Sequence, residues 1–285
     1  MPTMTMEKLR RKPHWSFSSI NVFLNVCSLQ WAFKYVYGRE PCFTPVALVF
    51  GGVFHQACTF FFQKRMQGEE IAPATAAELF SDLFSQACRI TQPPIRFTKG
   101  QDADSLQELG GRMVLEFLKA VDPQEKVLGV AVPFTTVLKD SNGDELGKPL
   151  IGEYDLVVES NDGVVIVDWK TAARRWSEQK ARTELQPTAY LLAWNQGTSP
   201  EPATFRYDIV TKTKTPAVQR IKTIRHPSDG LRLVEKIKII EKMVRAELFL
   251  PNDQGWACSG CPYSLACEAW HRERNRSLYH FKLAA

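Results

Sequence analysis

Two aspartates and a lysine stand close together in the middle of this sequence, in stretches typical of paired strands. Asp155 lies in GEYDLVVES, and Asp168 and Lys170 lie near the end of VVIVDWKT, with a turn at residues 161–163 between the two stretches. This pattern predicts a hairpin, in which alternate residues share a face and neighbouring strands bring their residues side by side. The two carboxylates and the ammonium group are therefore predicted to converge.

Such a group of charges suits the hydrolysis of a phosphodiester bond. Two carboxylates a few ångströms apart repel each other unless a cation lies between them, and their oxygens favour Mg²⁺ or Mn²⁺. The cation polarises the phosphoryl oxygen and lowers the pKa of a bound water, and Lys170 would stabilise developing negative charge. The alternative is that Asp155 and Asp168 end their strands at the surface and that Lys170 is a solvated neighbour. The apolar run at residues 164–167 argues against this, because an ionisable group at the end of a buried strand seldom lacks a partner or a function.

Three cysteines near the C-terminus form a second set of residues with metal-binding spacing. Cys258, Cys261 and Cys267 follow a Cys-x2-Cys-x5-Cys pattern in a chain with seven cysteines. The N-terminal stretch lacks the apolar run of a secretory signal, so we expect a reducing, cytoplasmic location, where close thiols favour metal binding over disulfides. The set needs a fourth ligand and suits zinc or a 4Fe-4S cluster, since both take four thiolates.

The segments around these residues predict helices about a mixed sheet, and thus an α/β or α+β class. The predicted helices cover residues 19–38, which include Cys27, and residues 47–68, 75–90, 102–121, 177–196 and 228–249. The predicted strands cover residues 126–138, 152–160, 164–171, 203–212 and 218–226. The apolar window 47–62 contains His55 and predicts a buried helix, because it is short for a membrane span.

Composition and charge leave the partner open, but a basic stretch lies directly after the lysine strand. The net charge of +5, from 36 basic and 31 acidic residues, favours an anionic partner only weakly. Basic side chains pair with phosphates, and an aromatic ring can stack on an unpaired base. The candidate DNA-binding residues are therefore Arg174, Arg175, Trp176, Lys180 and Arg182, with a second basic set at Lys212, Lys214, Arg220, Lys222 and Arg225.

The hairpin motif resembles the core signature of the PD-(D/E)xK nucleases, specifically their RecB-like branch. GGVFHQA supplies the upstream histidine of that branch, His55, and Gln186 with Tyr190 matches its Gln-x-x-x-Tyr motif. The resemblance implies that His55, Asp155 and Asp168 bind Mg²⁺ or Mn²⁺ with the carbonyl of residue 169. It also implies that Gln186 and Tyr190 orient the lysine and the DNA strand, and Pro187 predicts that Gln186 lies at a helix start.

The same resemblance extends to the cysteines. RecB-like nucleases with an iron-sulfur cluster have one cysteine before the nuclease motifs and three after them, which implies a 4Fe-4S cluster on Cys27, Cys258, Cys261 and Cys267, with Cys42 as the competitor of Cys27. We expect this cluster to clamp a helical lobe over the sheet. The implied architecture is a restriction-endonuclease-like core at residues 121–225, between an N-terminal helical lobe at residues 1–120 and a C-terminal cluster segment at residues 226–285.

These observations and the resemblance together predict a metal-dependent DNA nuclease, an exonuclease with endonuclease activity left open, acting on single-stranded DNA or duplex ends. The likeness is to CRISPR-associated RecB-like exonucleases that act in spacer acquisition alongside integrase proteins, with a repair or phage nuclease as the near alternative. A non-catalytic iron-sulfur scaffold that binds DNA is the competing interpretation. An iron-sulfur redox enzyme is disfavoured, because no Gly-rich phosphate or dinucleotide loop follows a strand.

Overall fold

The computed structural model describes residues 4–197, 202–253, 255 and 257–283 of the 285-residue chain. The chain divides into two units, the first taking residues 1–17, 46–90 and 97–236 and the second taking residues 18–45, 91–96 and 237–285. This division places Cys27 and His55 in different units, whereas the predicted N-terminal lobe contained both.

The described elements alternate between helices and strands along the chain. In chain order the helices are α1 (Met6–Arg10), α2 (Phe17–Asn21), α3 (Ser28–Tyr35), α4 (Val46–Met66), α5 (Pro73–Ile90), α6 (Ala103–Lys119), α7 (Glu178–Thr183), α8 (Gln186–Gln196), α9 (Pro227–Arg245) and α10 (Ser264–Leu283). The strands are β1 (Trp15–Ser16), β2 (Thr44–Pro45), β3 (Ile95–Arg96), β4 (Lys126–Thr136), β5 (Leu150–Ser160), β6 (Gly163–Ala172), β7 (Ala203–Thr211) and β8 (Val218–Thr223).

A mixed sheet forms the centre of the first unit. Its order is β1-β5-β6-β7-β8, and β4 pairs with β5. The β4–β5, β5–β6 and β7–β8 pairs are antiparallel, and the β1–β5 and β6–β7 pairs are parallel. The middle of β6, from Val164 to Trp169, is buried throughout, as expected for a strand covered on both faces. The predicted mixed central sheet flanked by helices is therefore confirmed.

Aromatic side chains pack helices α4, α5 and α6 against one face of this sheet. Trp169 on β6 stacks on Phe62 of α4, with ring centroids 5.5 Å apart, and meets Phe117 of α6 edge-on at 6.4 Å. Phe80 and Phe84 of α5 stack on each other at 5.7 Å. Because side chains alternate along a strand, the residues on either side of Trp169 point to the opposite face.

The second unit joins the early helices to the C-terminal part of the chain. Phe23, Trp31 and Phe249 form an edge-packed aromatic group with centroids 5.3 to 6.4 Å apart. The short strands β2 and β3 pair in parallel. Ser28 Oγ donates to Leu250 O at 3.1 Å and accepts from Leu250 N at 2.8 Å, so backbone groups of the C-terminal segment are bound beside the start of α3.

Two predicted helices are interrupted in the structure. The helix predicted at residues 19–38 becomes α2, a π-helical stretch at Val22–Val26 and α3, and Cys27 lies outside the helix interior with extended backbone angles of φ −169° and ψ 120°. Leu29 N–H donates to Leu250 O, so a tertiary hydrogen bond replaces a helical one there. The helix predicted at residues 177–196 breaks into α7 and α8 because Pro187 has no N–H to continue the helix.

Helix α4 is the one described helix long and apolar enough to cross a membrane by length and composition. It has 21 residues, more than the 16 of the apolar window, and Val53, Phe54, Ala57, Cys58 and Phe62 are all buried within the protein. Its contacts with β4, β5 and β6 identify it as a core helix of the first unit. The predicted buried helix is therefore confirmed.

Adjacent glycines on α6 differ in how closely α5 approaches them, which generates a stability prediction. A Cβ atom at Gly110 would lie 2.0 Å from Phe80 Cε1, and Phe80 is fully buried, whereas at Gly111 the nearest atom is Ser81 Oγ at 3.5 Å. We predict that Gly110→Ala lowers the free energy of unfolding by about 1–3 kcal/mol through overpacking. Gly111→Ala should raise it by about 0.5–1 kcal/mol, because alanine favours the helix.

Urea denaturation of the two variants checks this prediction, with each serving as the control for the other. Equal stability of the two variants would contradict the close packing of α5 on α6 at Gly110.

Candidate functional site

The candidate active site lies at a gap in the pairing of β5. One edge of β5 pairs with β4 along most of its length, so β1 and β6 share the other edge. On that edge, β1 pairs with Leu150 and Ile151, and β6 pairs only from Leu156 onward. Residues 152–155 therefore have no described strand partner on this edge, and Asp155 lies where β5 and β6 part.

Side chains bind the backbone of Trp169 across this gap. Its N–H donates to Asp155 Oδ2 at 2.9 Å, and its carbonyl oxygen lies 2.9 Å from His55 Nε2. His55 Nδ1 lies 3.2 Å from Asp155 Oδ1, so the imidazole bridges the carboxylate and the strand carbonyl. A carboxylate from β5 and an imidazole from α4 thus take the place of the missing strand partner.

Asp168 and Lys170 lie on the other face of β6, away from the Trp169 side chain. Lys170 Nζ lies 2.6 Å from Asp168 Oδ2, and Gln186 Nε2 donates to Asp168 Oδ1. The Asp168 side chain is 2% exposed, so its charge is held almost entirely by these neighbours and by the groups across the gap. Gln186 is the first residue of α8, as Pro187 predicts, and this position aims its amide at the sheet.

The surroundings of the two acids shift their pKa values in opposite directions, upward for Asp168 and downward for Asp155. Burial, aided by the charge of Asp155, raises the pKa of Asp168 to about 6 despite the opposing effect of Lys170. Burial would also raise the pKa of Asp155, but the charge and hydrogen bond of His55, together with Lys170 and the Trp169 N–H, lower it overall. Two carboxylates in one buried site therefore carry an electrostatic cost that a cation would relieve.

Tyr190 lies one helical turn after Gln186 and belongs to an aromatic group. Its ring meets Phe134 at 5.3 Å, Tyr154 at 5.6 Å and Phe205 at 5.9 Å, all at steep angles. Burial, followed by the charges of Asp168 and Asp155, raises the pKa of Tyr190. The phenol thus stays neutral at physiological pH within electrostatic reach of both acids.

The donors at the gap fit a hard divalent cation. An octahedral Mg²⁺ holds its ligands at about 2.1 Å, so two adjacent ligands lie about 3.0 Å apart. His55 Nε2 and the Trp169 carbonyl oxygen are 2.9 Å apart, Asp155 contacts the same imidazole, and Asp168 lies within electrostatic reach of it. As they stand, no three His, Cys, Asp or Glu side chains of the described residues meet closely enough to hold an ion.

Glu153 is a neighbour of the site that sequence reasoning missed. It lies two residues before Asp155 and so shares a face of β5 with it. Burial raises the pKa of Glu153, and so does the charge of Asp155. The signal was present in the sequence as an acid at even spacing from Asp155, but alternation alone does not distinguish it from a solvated residue.

In the basic stretch after β6, some side chains are exposed to solvent and others pack on neighbouring residues. Arg174 and Arg175 are exposed, and neither makes an ion pair with a described residue. Trp176 packs on Tyr207 at 5.0 Å, and Lys180 Nζ lies 4.0 Å from the centre of its ring. A nucleic-acid base could therefore stack on Trp176 only after Lys180 moves aside, and Arg182 lies further along on α7.

The second basic set is mostly engaged within the protein. Lys212 Nζ lies 4.4 Å from the centre of the Phe50 ring, Arg220 Nη2 donates to Ala120 O, and Lys222 Nζ lies 2.5 Å from Asp162 Oδ2. Lys214 is exposed. Arg225 lies in a cleft formed with α7, α8 and α9.

Four cysteines line one cavity within the second unit. Cys27, Cys258, Cys261 and Cys267 border a space of about 250 Å³. Burial raises the pKa of Cys267, and the nearby thiols of Cys27, Cys261 and Cys258 raise it further. The cavity thus collects the predicted cluster ligands from both ends of the chain.

Backbone N–H groups surround the sulfur of Cys27. Gln30 N and Asn252 N each lie 3.4 Å from Cys27 Sγ, and the cysteine occupies the N-cap position of α3. Cys42 is close to Cys261 but does not border the cavity, and its N–H donates to Pro262 O at 2.8 Å. The structure therefore brings Cys27, and not Cys42, to the cavity wall.

Comparison with known proteins identifies the family of this chain. The sequence model of the PD-(D/E)XK nuclease superfamily matches residues 14–268. No curated protein matches the chain. A crystal structure of a candidate exonuclease from Eubacterium rectale is similar in fold, with a TM-score of 0.54 and 17% identity over 90% of this chain and 93% of that one. The chain belongs to the PD-(D/E)XK nuclease superfamily.

Proposed function

We propose that this protein is a metal-dependent deoxyribonuclease that acts as an exonuclease on single-stranded DNA or duplex ends. The observation that carries the proposal is the contact of His55 with Asp155 and with the Trp169 carbonyl at the gap between β5 and β6, with the ion pair of Asp168 and Lys170 on the flanking residues of β6. These donors suit Mg²⁺ or Mn²⁺, which when bound would polarise a phosphoryl oxygen and lower the pKa of a water molecule.

Each residue of the site has a distinct task in this proposal. His55, Asp155 and Asp168 hold the cation, and Gln186 fixes the rotamer of Asp168 through its amide hydrogen bond. Lys170, once the cation competes for Asp168, is free to donate to the phosphate and stabilise developing negative charge. Tyr190, one turn after Gln186 on α8, would help to orient Lys170 and the DNA strand, as the resemblance implies. Arg174 and Arg175, exposed beyond β6, would contact backbone phosphates.

The order of motifs supports a RecB-like assignment within the superfamily. His55, Asp155, the Asp168-Trp169-Lys170 triplet and the Gln186 to Tyr190 pair follow one another as in that branch. The solved structure of similar fold is described as a candidate exonuclease, which agrees with action at DNA ends. The proposal extends by likeness to CRISPR spacer acquisition beside integrase proteins, with DNA repair as the alternative pathway.

We also propose that the cavity in the second unit holds a 4Fe-4S cluster on Cys27, Cys258, Cys261 and Cys267. A zinc ion at about 2.3 Å from four sulfurs would draw them to within about 3.8 Å of one another. Zinc is thus the alternative occupant of the same four thiols, and the order of one cysteine before the nuclease motifs and three after them favours the 4Fe-4S cluster by resemblance. Such a cluster would join residues before β2 to residues after α9 within the second unit.

The nuclease proposal predicts a specific effect of Asp168→Ala. Loss of this carboxylate should reduce Mn²⁺-dependent cleavage of end-labelled single-stranded DNA by more than about 100-fold, since even outer-shell changes at metal sites cost up to that much. Asp82→Ala, which removes an exposed acid of α5, is the matched control and should cleave like the unaltered protein. Cleavage by Asp168→Ala at the control rate would contradict the site, and absence of cleavage by all three proteins would favour the scaffold interpretation.

The cluster proposal predicts that Cys27 and Cys42 differ in their effect on iron. Protein purified without oxygen should contain about four iron atoms per chain with visible absorption from the cluster. Cys27→Ser should lose most of this iron and absorption, and Cys42→Ser should keep both, because only Cys27 borders the cavity. Metal analysis that finds zinc in place of iron, or equal losses in the two variants, would refute the assignment.

A further inference from the structure

A polar cleft of about 680 Å³ lies within the first unit, apart from the residues that gather at the strand gap. Its walls come from the end of α7, the start of α8, the end of β8 and the start of α9. Five cationic side chains line it, against two acidic ones, Glu184 and Asp229. The cations are Arg182, Lys222, Arg225, Arg232 and Lys236.

Hydrogen bonds hold the positively charged side chain of Arg225 in one position in this cleft. Its guanidinium donates to the hydroxyls of Thr188 and Thr223 and to three backbone carbonyls, those of residues 181, 184 and 224. These acceptors are neutral, and no described carboxylate forms an ion pair with Arg225. The hydrogen bonds therefore hold the guanidinium in place without cancelling its charge.

Two further cations of the cleft are also uncompensated. Arg182 on α7 and Lys236 on α9 are exposed, and within the described ranges neither forms an ion pair. Lys222 and Arg232, by contrast, are paired with Asp162 and Asp229. The cleft thus keeps one half-buried and two exposed positive charges for an external anion.

The cleft adjoins the catalytic groups through the start of α8. Glu184 and Leu185 line the cleft, and the next residue, Gln186, donates to Asp168. Tyr207 is buried and lies within electrostatic reach of both Asp168 and Arg225. A DNA strand bound at the catalytic centre would be able to continue along α8 into the cleft.

We propose that this cleft binds the phosphodiester backbone of the strand being cut, at phosphates away from the scissile bond. This inference rests on the proposed nuclease function. Because the donors of Arg225 are already used, it attracts phosphates through charge and not through a bidentate hydrogen bond, which suits a sequence-independent track. The spread of charges over α7, β8 and α9 favours a chain of phosphates over a single small anion.

The test compares two charge-neutralised double variants of the full-length chain. Arg182→Gln/Lys236→Gln removes the two exposed, unpaired charges of the cleft. Arg89→Gln/Lys99→Gln removes two exposed cations elsewhere in the first unit that form no ion pair with any residue the structure describes. Binding of a fluorescent single-stranded oligonucleotide is measured over a range of salt concentrations without divalent metal, so that no strand is cut.

For the cleft variant, we expect the slope of log affinity against log salt to become shallower by about 1.4, which corresponds to two lost phosphate contacts. The control variant should keep the slope of the unaltered protein. Equal slopes for the two variants would overturn the inference, and so would full competition by a deoxynucleoside monophosphate at the concentration of the oligonucleotide phosphates. Because binding is measured without cleavage, failure of the nuclease proposal would appear separately, as inactive unaltered protein with Mn²⁺.

Discussion

The parting of β5 from β6 is the constraint on which the rest of this site depends. An interior strand normally satisfies its backbone groups with a neighbouring strand, and unpaired buried groups are costly. At Trp169 the N–H is satisfied by Asp155 and the carbonyl lies against His55, so the gap is stable only while both side chains are present. The same parting leaves room between the strands, where oxygen and nitrogen donors from α4, β5 and β6 face one another. The proposed cation site thus depends on the same contacts that satisfy the backbone of β6.

The surroundings of the gap explain why its two acids are not equivalent. Asp155 is stabilised as an anion by an imidazole and a backbone N–H, whereas Asp168 is deeply buried between Lys170 and the amide of Gln186, with its pKa raised to about 6. Trp169 anchors this arrangement from the other face by packing on α4 and α6, which also fixes the helix that carries His55. The cysteine-lined cavity of the second unit is built without any of these residues.

Local pattern in the sequence was sufficient for the strands and for bringing several candidate site residues together. The strand-like runs at 152–160 and 164–171 with the turn between them predicted the hairpin, and a proline after Gln186 predicted the start of α8. Other features depend on tertiary contacts, which the local sequence pattern does not reveal. The break at Cys27 depends on hydrogen bonds to Leu250, and the short β1 strand depends on an edge of β5 left open by β6. The α10 helix was not predicted, because the C-terminal segment was interpreted from its cysteine spacing alone. The cleft around Arg225 was not predicted because it brings together α7 and α8 with β8 and α9, two pairs of elements that are separated in sequence.

Crystals grown with Mn²⁺ and measured at the manganese absorption edge would test the central claim most directly. The account predicts one anomalous peak within bonding distance of His55 Nε2, the Trp169 carbonyl oxygen and the carboxylates of Asp155 and Asp168. A peak bound elsewhere in the first unit, or none at saturating Mn²⁺, would contradict the claim that the parted strands form a cation site.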